Sequence, residues 1–435
     1  MRRGFLVLSL LVPVAGLTSA ARADTATDWN RTALGLIAAR TYNPPMASRA
    51  LAMVSVAMSD AANAVDRRYS GYAYQGGAGG DADARAAVSR AACDVLTNLF
   101  PNDAAMLQTK LNASLAGITV GRASGETVGS ASASTILAAR AADGWNATAP
   151  AYTGGTAPGQ WRPTPGAYAP GLLPKWGSVQ PWTMSAGDQF RAAAPPVLSS
   201  VEYAQSLNEV KTLGAKNSAI RTAEQAAIAS FWAAGAGTVT PPGMWNEIAD
   251  GFIERSGAGL SESARNLALL NTTLADAAIA CWDTKYATSM WRPITSIREA
   301  GTDGNDATDP DGAWESFLTT PNFPTYTSGH STFSRAGATV LSSLYGASTP
   351  FDVASIGTVR SFASFDAAAN EAGRSRIYGG IHFEFDNQAG QTLGGLIAQQ
   401  SLRTANGLAP VPEPATLAVL GLGVAFLRRR RRAAR

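Results

Sequence analysis

The segment Pro324-Thr-Tyr-Thr-Ser-Gly-His330 contains one of the only two histidines in the 435 residues of this chain. The proline at its start and the glycine before the histidine predict a tight turn that leads into a helix. Backbone N–H groups at such a helix N-terminus, together with the Ser328 hydroxyl, form a nest for an anion. His330 would then lie beside that anion as an acid or a base.

The second histidine lies in Ser375-Arg-Ile-Tyr-Gly-Gly-Ile-His-Phe-Glu-Phe-Asp386. Arg376 precedes His382 by six residues, and the glycine pair at 379–380 predicts that the backbone can approach a ligand closely. Asp386 follows His382 by four residues, which places both on one face of a predicted helix. A carboxylate there would accept the Nδ1–H of His382 and leave its Nε2 free as a ligand or a nucleophile.

Two more cations precede these motifs, Lys285 and Arg292. They are seven residues apart, which is two turns of a helix, so both are predicted to face one pocket, with Pro293 ending or bending the helix. Each motif alone would also fit a solvated helix face or a satisfied core histidine. Because both histidines of the chain fall beside cations, the sequence favours a site for a phosphate-like anion.

In this order, the motifs resemble the signature of the vanadium-dependent haloperoxidase and type 2 phosphatidic acid phosphatase superfamily: Lys-x6-Arg-Pro, Pro-Ser-Gly-His and Ser-Arg-x5-His-x3-Asp. One residue departs from it, because Thr327 stands in place of the proline before Ser328, which is expected to reduce the rigidity of the turn. The resemblance covers residues 222–402. It implies an all-α fold, a helical bundle of the haloperoxidase and acid phosphatase type, which agrees with the scarcity of strand-like patterns.

The resemblance also implies a role for each motif residue. The oxygens of vanadate or phosphate would be held by Lys285, Arg292, Ser328, Gly329 and Arg376. His382 would be the metal ligand of a vanadate, or the group that attacks phosphorus, with Asp386 behind it. His330 would be the acid–base residue.

Two aromatic residues favour the peroxidase over the phosphatase. Trp282 and Phe323 lie where soluble chloroperoxidases have aromatic residues beside the vanadate, although core packing is the commoner use of such side chains. A third feature argues against the peroxidase. No carboxylate follows Phe231-Trp232, where chloroperoxidases have one that steadies the vanadate-binding arginine, so Arg376 is expected to lack an acidic partner.

The predicted function is an exported vanadium-dependent haloperoxidase that oxidises halide with hydrogen peroxide. The alternative is a soluble acid phosphatase that acts on a phosphate ester without a metal, through a phosphohistidine at His382. A third interpretation is a non-catalytic envelope or matrix protein that keeps the fold. The body contains no apolar run of about 18 residues, which argues against an integral lipid phosphatase.

Both ends of the chain are predicted to be processing signals. Residues 1–23 combine arginines, an apolar run and an Ala-x-Ala site, as in a secretory signal peptide. Residues 411–435 combine Pro-Glu-Pro, a short apolar run and an arginine cluster, which resembles the PEP-CTERM sorting signal; a plain C-terminal anchor is the alternative. That resemblance implies cleavage by an exosortase and export to the periplasm, outer envelope or exterior of a Gram-negative bacterium. Membrane contact would occur only through the tail, and the mildly acidic body, residues 24–410, predicts no nucleic-acid partner.

Helices are predicted over 28–40, 45–68, 82–100, 104–118, 125–145, 201–213, from a capping box at Thr222, and over 262–288, 331–344 and 382–402. The Gly- and Pro-rich segment 146–184 is expected to pack over the body, as a structural wrap or as one wall of the active site. The Asp-rich segment 301–312 is expected to be a solvated turn, because the spacing of a calcium loop is missing. Cys93 and Cys281 would either pair or remain as two buried thiols.

Overall fold

The computed structural model describes residues 24–355 and 357–405, so the expectations for residues 1–23 and 411–435 lie outside the described residues. The structure is 58% helix and 4% strand, which confirms the all-α prediction. The helices are α1 (Thr25–Ala39), α2 (Pro44–Asp66), α3 (Ala84–Leu99), α4 (Ala104–Leu115), α5 (Arg122–Arg140), α6 (Val201–Leu213), α7 (Ala223–Phe231), α8 (Thr240–Ser256), α9 (Leu260–Thr288), α10 (Pro293–Arg298), α11 (Gly329–Tyr345), α12 (Phe365–Tyr378) and α13 (Glu384–Thr404). The strands β1 (Phe351–Ser355) and β2 (Thr358–Phe362) form an antiparallel hairpin.

The longest helix, α9, runs through the core and carries Lys285 into it. It packs against α2, α8, α11 and α13, and most of its residues are buried. A helix enclosed on every side needs small or apolar residues nearly all round, which the run Leu-Ala-Leu-Leu-Asn-Thr-Thr-Leu-Ala-Asp-Ala-Ala-Ile-Ala-Cys-Trp provides. Its buried carboxylate, Asp276, accepts hydrogen bonds from the backbone of Trp182 and Thr183, both at 2.7 Å, and so anchors the segment 146–184 to the body.

Two glycines of α13 bring the two histidine motifs together. A Cβ atom at Gly390 would lie 2.7 Å from the carbonyl oxygen of Ser328, and one at Gly394 would lie 2.3 Å from that of Thr332. Any larger residue would therefore push α13 away from α11. Because α11 begins in the first motif and α13 begins in the second, this close approach positions the site.

All of the predicted helices are present, with ends that differ by a few residues. The capping box is confirmed, since the Thr222 hydroxyl accepts from the Gln225 N–H and the Gln225 side chain accepts from the Thr222 N–H. Sequence reasoning missed α8, α10, α12 and the hairpin. The Pro-Pro-Gly at the start of α8 resembles a helix breaker, but proline in the first turn sacrifices no hydrogen bond. The strands are only five residues each and give too short an alternating pattern to detect.

The predictions for the two cysteines and for the segment 301–312 have different outcomes. Cys93 and Cys281 are free and buried, which confirms the alternative of two buried thiols. In the segment 301–312 the expected solvated turn is only partly right, because the buried Asp303 carboxylate accepts hydrogen bonds from Asn305 and Thr308 within the turn. Within residues 24–355 and 357–405, no helix is both long and apolar enough to cross a membrane.

Candidate active site

Lys285 is fully buried in the last turn of α9. Its ammonium donates hydrogen bonds to the carbonyl oxygens of Pro324 and Thr325, both at 2.9 Å, and of Thr327 at 2.6 Å. These three bonds use all three of its N–H groups. Lys285 therefore fixes the turn before α11 and places a positive charge beneath it. The Thr327 that replaces the expected proline is itself fully buried in this turn.

The expectation that Lys285 and Arg292 share one helix is wrong. Helix α9 ends at Thr288, where Ser289 takes a left-handed conformation with φ of 48°, and Arg292 precedes the first residue of α10. The chain turns between them and pairs with another segment, since the Trp291 N–H donates to the Gly159 carbonyl at 2.8 Å. The two cations reach the same region by this turn and not by helical spacing.

Arg292 is fully buried and lies against His382. Its Nε donates to the Phe323 carbonyl at 2.7 Å, and its Nη1 donates to the Ile381 carbonyl at 2.8 Å. The same Nη1 is 3.2 Å from Nε2 of His382, and the buried Nη2 has no hydrogen-bond partner. A guanidinium can only donate, so Nε2 accepts and carries no proton.

Arg376 is buried near the end of α12. Its Nε donates to the Ser375 hydroxyl at 2.8 Å, and its Nη2 donates to the Ala229 carbonyl at 2.9 Å. Among the described residues, it has no carboxylate partner, as the sequence led us to expect. Its charge is therefore balanced only by neutral dipoles.

His382 and Asp386 meet, but not on one helix face as predicted. His382 lies two residues before α13, and Asp386 lies in its first turn. The distance between Nδ1 of His382 and Oδ2 of Asp386 is 2.8 Å, and the Phe383 N–H also donates to Oδ2, at 3.1 Å. Carboxylates cap helix N-termini in this way, so the cap and the histidine contact share one oxygen.

The glycine pair before His382 has a packing role that the sequence did not indicate, and its close approach to a ligand stays a prediction. Gly380 has a φ of 75°, and a Cβ atom there would lie 2.2 Å from the carbonyl oxygen of Gly214. A Cβ atom at Gly379 would lie 2.7 Å from the side chain of Leu318. Glycine is therefore required at 380, where two loops of the protein cross, whereas a side chain at 379 would have to displace the end of Leu318.

Ser328 caps α11, as the nest prediction requires. Its hydroxyl accepts from the Ser331 N–H at 3.3 Å and lies 2.9 Å from the Ser331 hydroxyl, and its own N–H donates to the Asp386 carbonyl at 3.0 Å. Gly329 has an ordinary negative φ, and a Cβ atom there would meet nothing closer than the Trp282 ring at 3.9 Å. Neither backbone conformation nor packing within the protein therefore requires glycine at this position.

His330 lies in the first turn of α11 and is only partly buried. The backbone carbonyls of Trp232 and Ala233 lie beside its ring and act to raise the pKa of His330 against the larger effect of burial, whereas its buried Nε2 has no hydrogen-bond partner. Carbonyls accept only, so the proton is held on the opposite side of the ring and Nε2 carries the lone pair. His330 thus presents an unused basic nitrogen at the edge of the site.

Burial disfavours the charged form of the lysine, the two arginines and the aspartate of this site. It lowers the pKa of Lys285 to about 7 and the pKa of Arg292 and Arg376 each to about 9. Burial also raises the pKa of Asp386 to about 6, against the stabilising hydrogen bond from Thr325. Three cations thus face one carboxylate, and an anion would relieve the excess positive charge.

Both histidines are held neutral. Burial, followed by the charge of Arg376, lowers the pKa of His330 well below its usual value. Burial, followed by the charges of Arg292 and Lys285, does the same for His382. A neutral imidazole is the form that ligates a metal, attacks phosphorus or accepts a proton.

Aromatic rings and the segment 146–184 form the wall of the site. The rings of Trp282 and Phe323 lie 5.0 Å apart, and the Phe323 ring lies 4.7 Å from the Arg292 guanidinium carbon and 5.0 Å from Nζ of Lys285. The Leu172 carbonyl accepts from Trp282 Nε1 at 3.2 Å. The segment therefore serves as both wrap and wall, the two interpretations left open by the sequence.

Sequence reasoning missed several residues that complete the site. Thr325 contacts both His382 and Asp386 through its hydroxyl. The carbonyls of Ala229 and Trp232 hold Arg376 and His330 from the end of α7. Backbone carbonyls leave no signal in a sequence, and a single threonine beside a recognised motif is too common to single out.

Three buried cations and a neutral histidine at a capped helix N-terminus form a candidate oxyanion site in a protein of the all-α class. Residues 265–409 match the family model of the VCPO second helical-bundle domain, and residues 410–432 match that of the PEP-CTERM protein-sorting motif. These matches support the vanadium haloperoxidase superfamily for this chain, with a C-terminal PEP-CTERM motif.

Known relatives agree with this assignment. Vanadium chloroperoxidase of Curvularia inaequalis is 28% identical over 176 residues, a match that spans 33% of this chain and only 28% of the fungal protein. The structure of a bacterial vanadium-dependent iodoperoxidase superposes with a TM-score of 0.80 at 26% identity, covering 89% of this chain and 98% of that one. The apo form of a bacterial vanadium-dependent chloroperoxidase shares the fold, with a TM-score of 0.68 at 16% identity over 84% of this chain and 95% of that one.

Proposed function

We propose that this chain is an exported vanadium-dependent haloperoxidase that oxidises halide with hydrogen peroxide at a vanadate bound to His382. The observation that carries the proposal is the buried Nη2 of Arg292, a charged donor without a partner, on the same guanidinium whose Nη1 contacts His382. An unsatisfied buried donor of this kind is strongly unfavourable unless a ligand accepts from it.

The surrounding groups fit a vanadate anion. Arg292, Arg376 and Lys285 supply positive charge, and Arg292 retains a free N–H group for an oxygen. The Ser331 hydroxyl donates its single proton to Oδ1 of Asn387 at 2.8 Å, so the Ser328 proton points to Ser331 at 2.9 Å and would turn to an anion that enters the site. The missing side chain at Gly329 leaves room where neither backbone conformation nor packing demands it. Within the proposal, Lys285 acts through its charge, because its N–H groups are already bonded.

His382 is the proposed ligand of vanadium. Its Nδ1 is bonded to Asp386, and its Nε2 carries the lone pair that a metal requires. That lone pair is in contact with Nη1 of Arg292, so Arg292 must release it when the anion enters. A guanidinium that leaves Nε2 and turns to an oxygen exchanges one hydrogen bond for a stronger, charge-assisted one.

His330 is the proposed proton acceptor for hydrogen peroxide. Its Nε2 is unprotonated and without a partner, and its lowered pKa keeps it neutral at pH 7. Bound vanadate supplies a Lewis-acidic V(V) centre that activates peroxide toward halide without changing oxidation state. The rings of Trp282 and Phe323 exclude water from the same wall.

Iodide is the first halide to test. The bacterial iodoperoxidase superposes with a TM-score of 0.80 at 26% identity, whereas the bacterial chloroperoxidase superposes with a TM-score of 0.68 at 16% identity. Arg376 also lacks an acidic partner among the described residues, whereas chloroperoxidases have a carboxylate that steadies the vanadate-binding arginine.

Export is part of the proposal. The PEP-CTERM match at residues 410–432 supports recognition by an exosortase-type sorting system. We propose a signal peptide at 1–23, a catalytic body at 24–410 and a sorting tail at 411–435. Mass spectrometry of the protein recovered from the envelope would check both cleavage points.

A paired assay tests the activity. The purified wild type and His382→Ala are supplied with orthovanadate, peroxide and iodide, bromide or chloride, and in parallel with a phosphate monoester in chelator. Halide oxidation that needs vanadate and is lost in the variant is expected. Phosphate release that vanadate inhibits would instead support the acid phosphatase, which none of the named relatives favours.

A further inference from the structure

Thr325 lies between the histidine and the carboxylate of the site and is fully buried. Its Oγ1 is 2.5 Å from Oδ2 of Asp386 and 3.1 Å from Nδ1 of His382. The two partners are themselves 2.8 Å apart, so the three atoms form a closed triangle. No role is assigned to this residue by the motifs that identify the site.

The directions of these bonds follow from counting protons. Nε2 of His382 accepts from Arg292, so the ring proton of the neutral imidazole is on Nδ1. Nδ1–H then has no lone pair to receive the Thr325 hydroxyl proton. That proton must go to Asp386, which as a carboxylate only accepts. Oδ2 therefore receives from three donors: Thr325, His382 and the Phe383 N–H.

The backbone of Thr325 is held on both sides, so its hydroxyl is not free to move. Its N–H donates to the Met290 carbonyl at 3.0 Å, and its carbonyl accepts from Lys285 at 2.9 Å. Its branched side chain also restricts rotation about χ1. The hydroxyl thus presents a fixed donor to Asp386.

We propose that Thr325 is a positioning residue whose hydroxyl, donated to Asp386, fixes the His382 ring with its proton on Nδ1 and its lone pair on Nε2. The inference rests on the proposed function in one respect, that His382 is the ligand of the bound anion. Groups behind a metal-binding histidine typically change metal affinity by about 10–100-fold when removed. Without the hydroxyl, Asp386 loses one of its three donors and the ring loses the group that closes the triangle.

The test compares Thr325→Val, which keeps the shape and removes the hydroxyl, with Thr325→Ser, which keeps the hydroxyl. Because the chain has only two histidines, long-range ¹H–¹⁵N spectra give the tautomer of each ring, and His330→Gln assigns the signals. The wild type and Thr325→Ser are expected to show His382 protonated on Nδ1. Thr325→Val is expected to show a mixture of tautomers and to bind orthovanadate about tenfold or more weakly, with Thr325→Ser close to wild type.

An unchanged tautomer and vanadate affinity in Thr325→Val would overturn the inference. If that variant does not fold, Thr325→Ala against Thr325→Ser isolates the hydroxyl in the same way, since these side chains differ by one oxygen. A third outcome separates the two proposals. If the wild type binds vanadate but oxidises no halide, and Thr325→Val binds vanadate more weakly, the haloperoxidase proposal is refuted while the role of Thr325 is supported.

Discussion

Replacing Arg376 with methionine should stabilise the ligand-free protein while removing its affinity for the anion. Arg376 is buried, lacks an acidic partner among the described residues, and bonds only to the Ser375 hydroxyl and the Ala229 carbonyl. A charge retained under these conditions is expected to serve a ligand at the expense of stability.

The magnitude follows from the cost of burying the charge. Burial lowers the pKa of Arg376 to about 9, more than three pH units below that of a guanidinium in water, which corresponds to about 4–5 kcal/mol. Because the lowered pKa belongs to a cation, this unfavourable energy is present in the folded protein at every pH below about 9. Losing the donor to Ala229 costs about 1–3 kcal/mol in return. Arg376→Met should therefore be about 1–4 kcal/mol more stable than wild type at pH 7.

Urea unfolding at pH 7, with and without orthovanadate, measures both effects. At a vanadate concentration a hundred times its Kd, the wild type should gain about 2.7 kcal/mol, and Arg376→Met should gain nothing. Arg374 is the matched control, because it lies on the same helix but bonds to the carboxylates of Glu209 at 2.6 Å and Glu384 at 2.5 Å. Arg374→Met should be less stable than wild type and should keep the gain from vanadate.

Two results would refute this reasoning. If ligand-free Arg376→Met is less stable than wild type, the two hydrogen bonds of the arginine outweigh the burial of its charge. If the variant keeps the full gain from vanadate, Arg376 is a structural residue and not part of the anion site.

Three further predictions concern Lys285, Gly329 and the two cysteines. Burial lowers the pKa of Lys285 to about 7, so between pH 7 and about 10 the unfolded chain holds a proton that the folded chain releases, and stability should rise with pH. From pH 7 to 9 the free energy of unfolding of the ligand-free wild type should increase by about 2 kcal/mol relative to that of Lys285→Met. The same pH dependence of the unfolding free energy in both proteins would count against a buried charge. Gly329→Ala should leave the ligand-free melting temperature unchanged, because a Cβ atom there meets nothing within 3.9 Å, yet should weaken orthovanadate binding; unchanged affinity in titration calorimetry would place the anion elsewhere. Both Cys93 and Cys281 should react with a thiol reagent after denaturation without reductant, and a two-dalton mass loss with no reaction would reveal a disulfide.

The chemistry of the site could be predicted from the sequence, but its construction could not. Both histidines, the three cations and Asp386 are named by their motifs, because each motif is a short run of unusual residues. The reasoning failed where it assumed a continuous helix. Ser289, with its φ of 48°, ends α9 before Arg292, and His382 precedes α13.

Long-range packing explains the other features of the site that the sequence did not predict. Gly379 and Gly380 make room for Leu318 and Gly214, more than 60 residues earlier in the chain, and no local pattern in the sequence indicates this packing role. Thr325 was passed over because its importance depends on which side chains lie across from it. Contacts between distant segments are decided by tertiary structure, which local patterns do not record.

The measurement that tests the central claim most directly is a calorimetric titration of orthovanadate into the purified wild type, beside His382→Ala and Arg374→Met. The arrangement of His382, Arg292 and Arg376 predicts one vanadate per chain for the wild type and for Arg374→Met, with at least about a tenfold loss of affinity in His382→Ala. Equal affinity in all three proteins, or no saturable binding to the wild type, would contradict a vanadate site at His382.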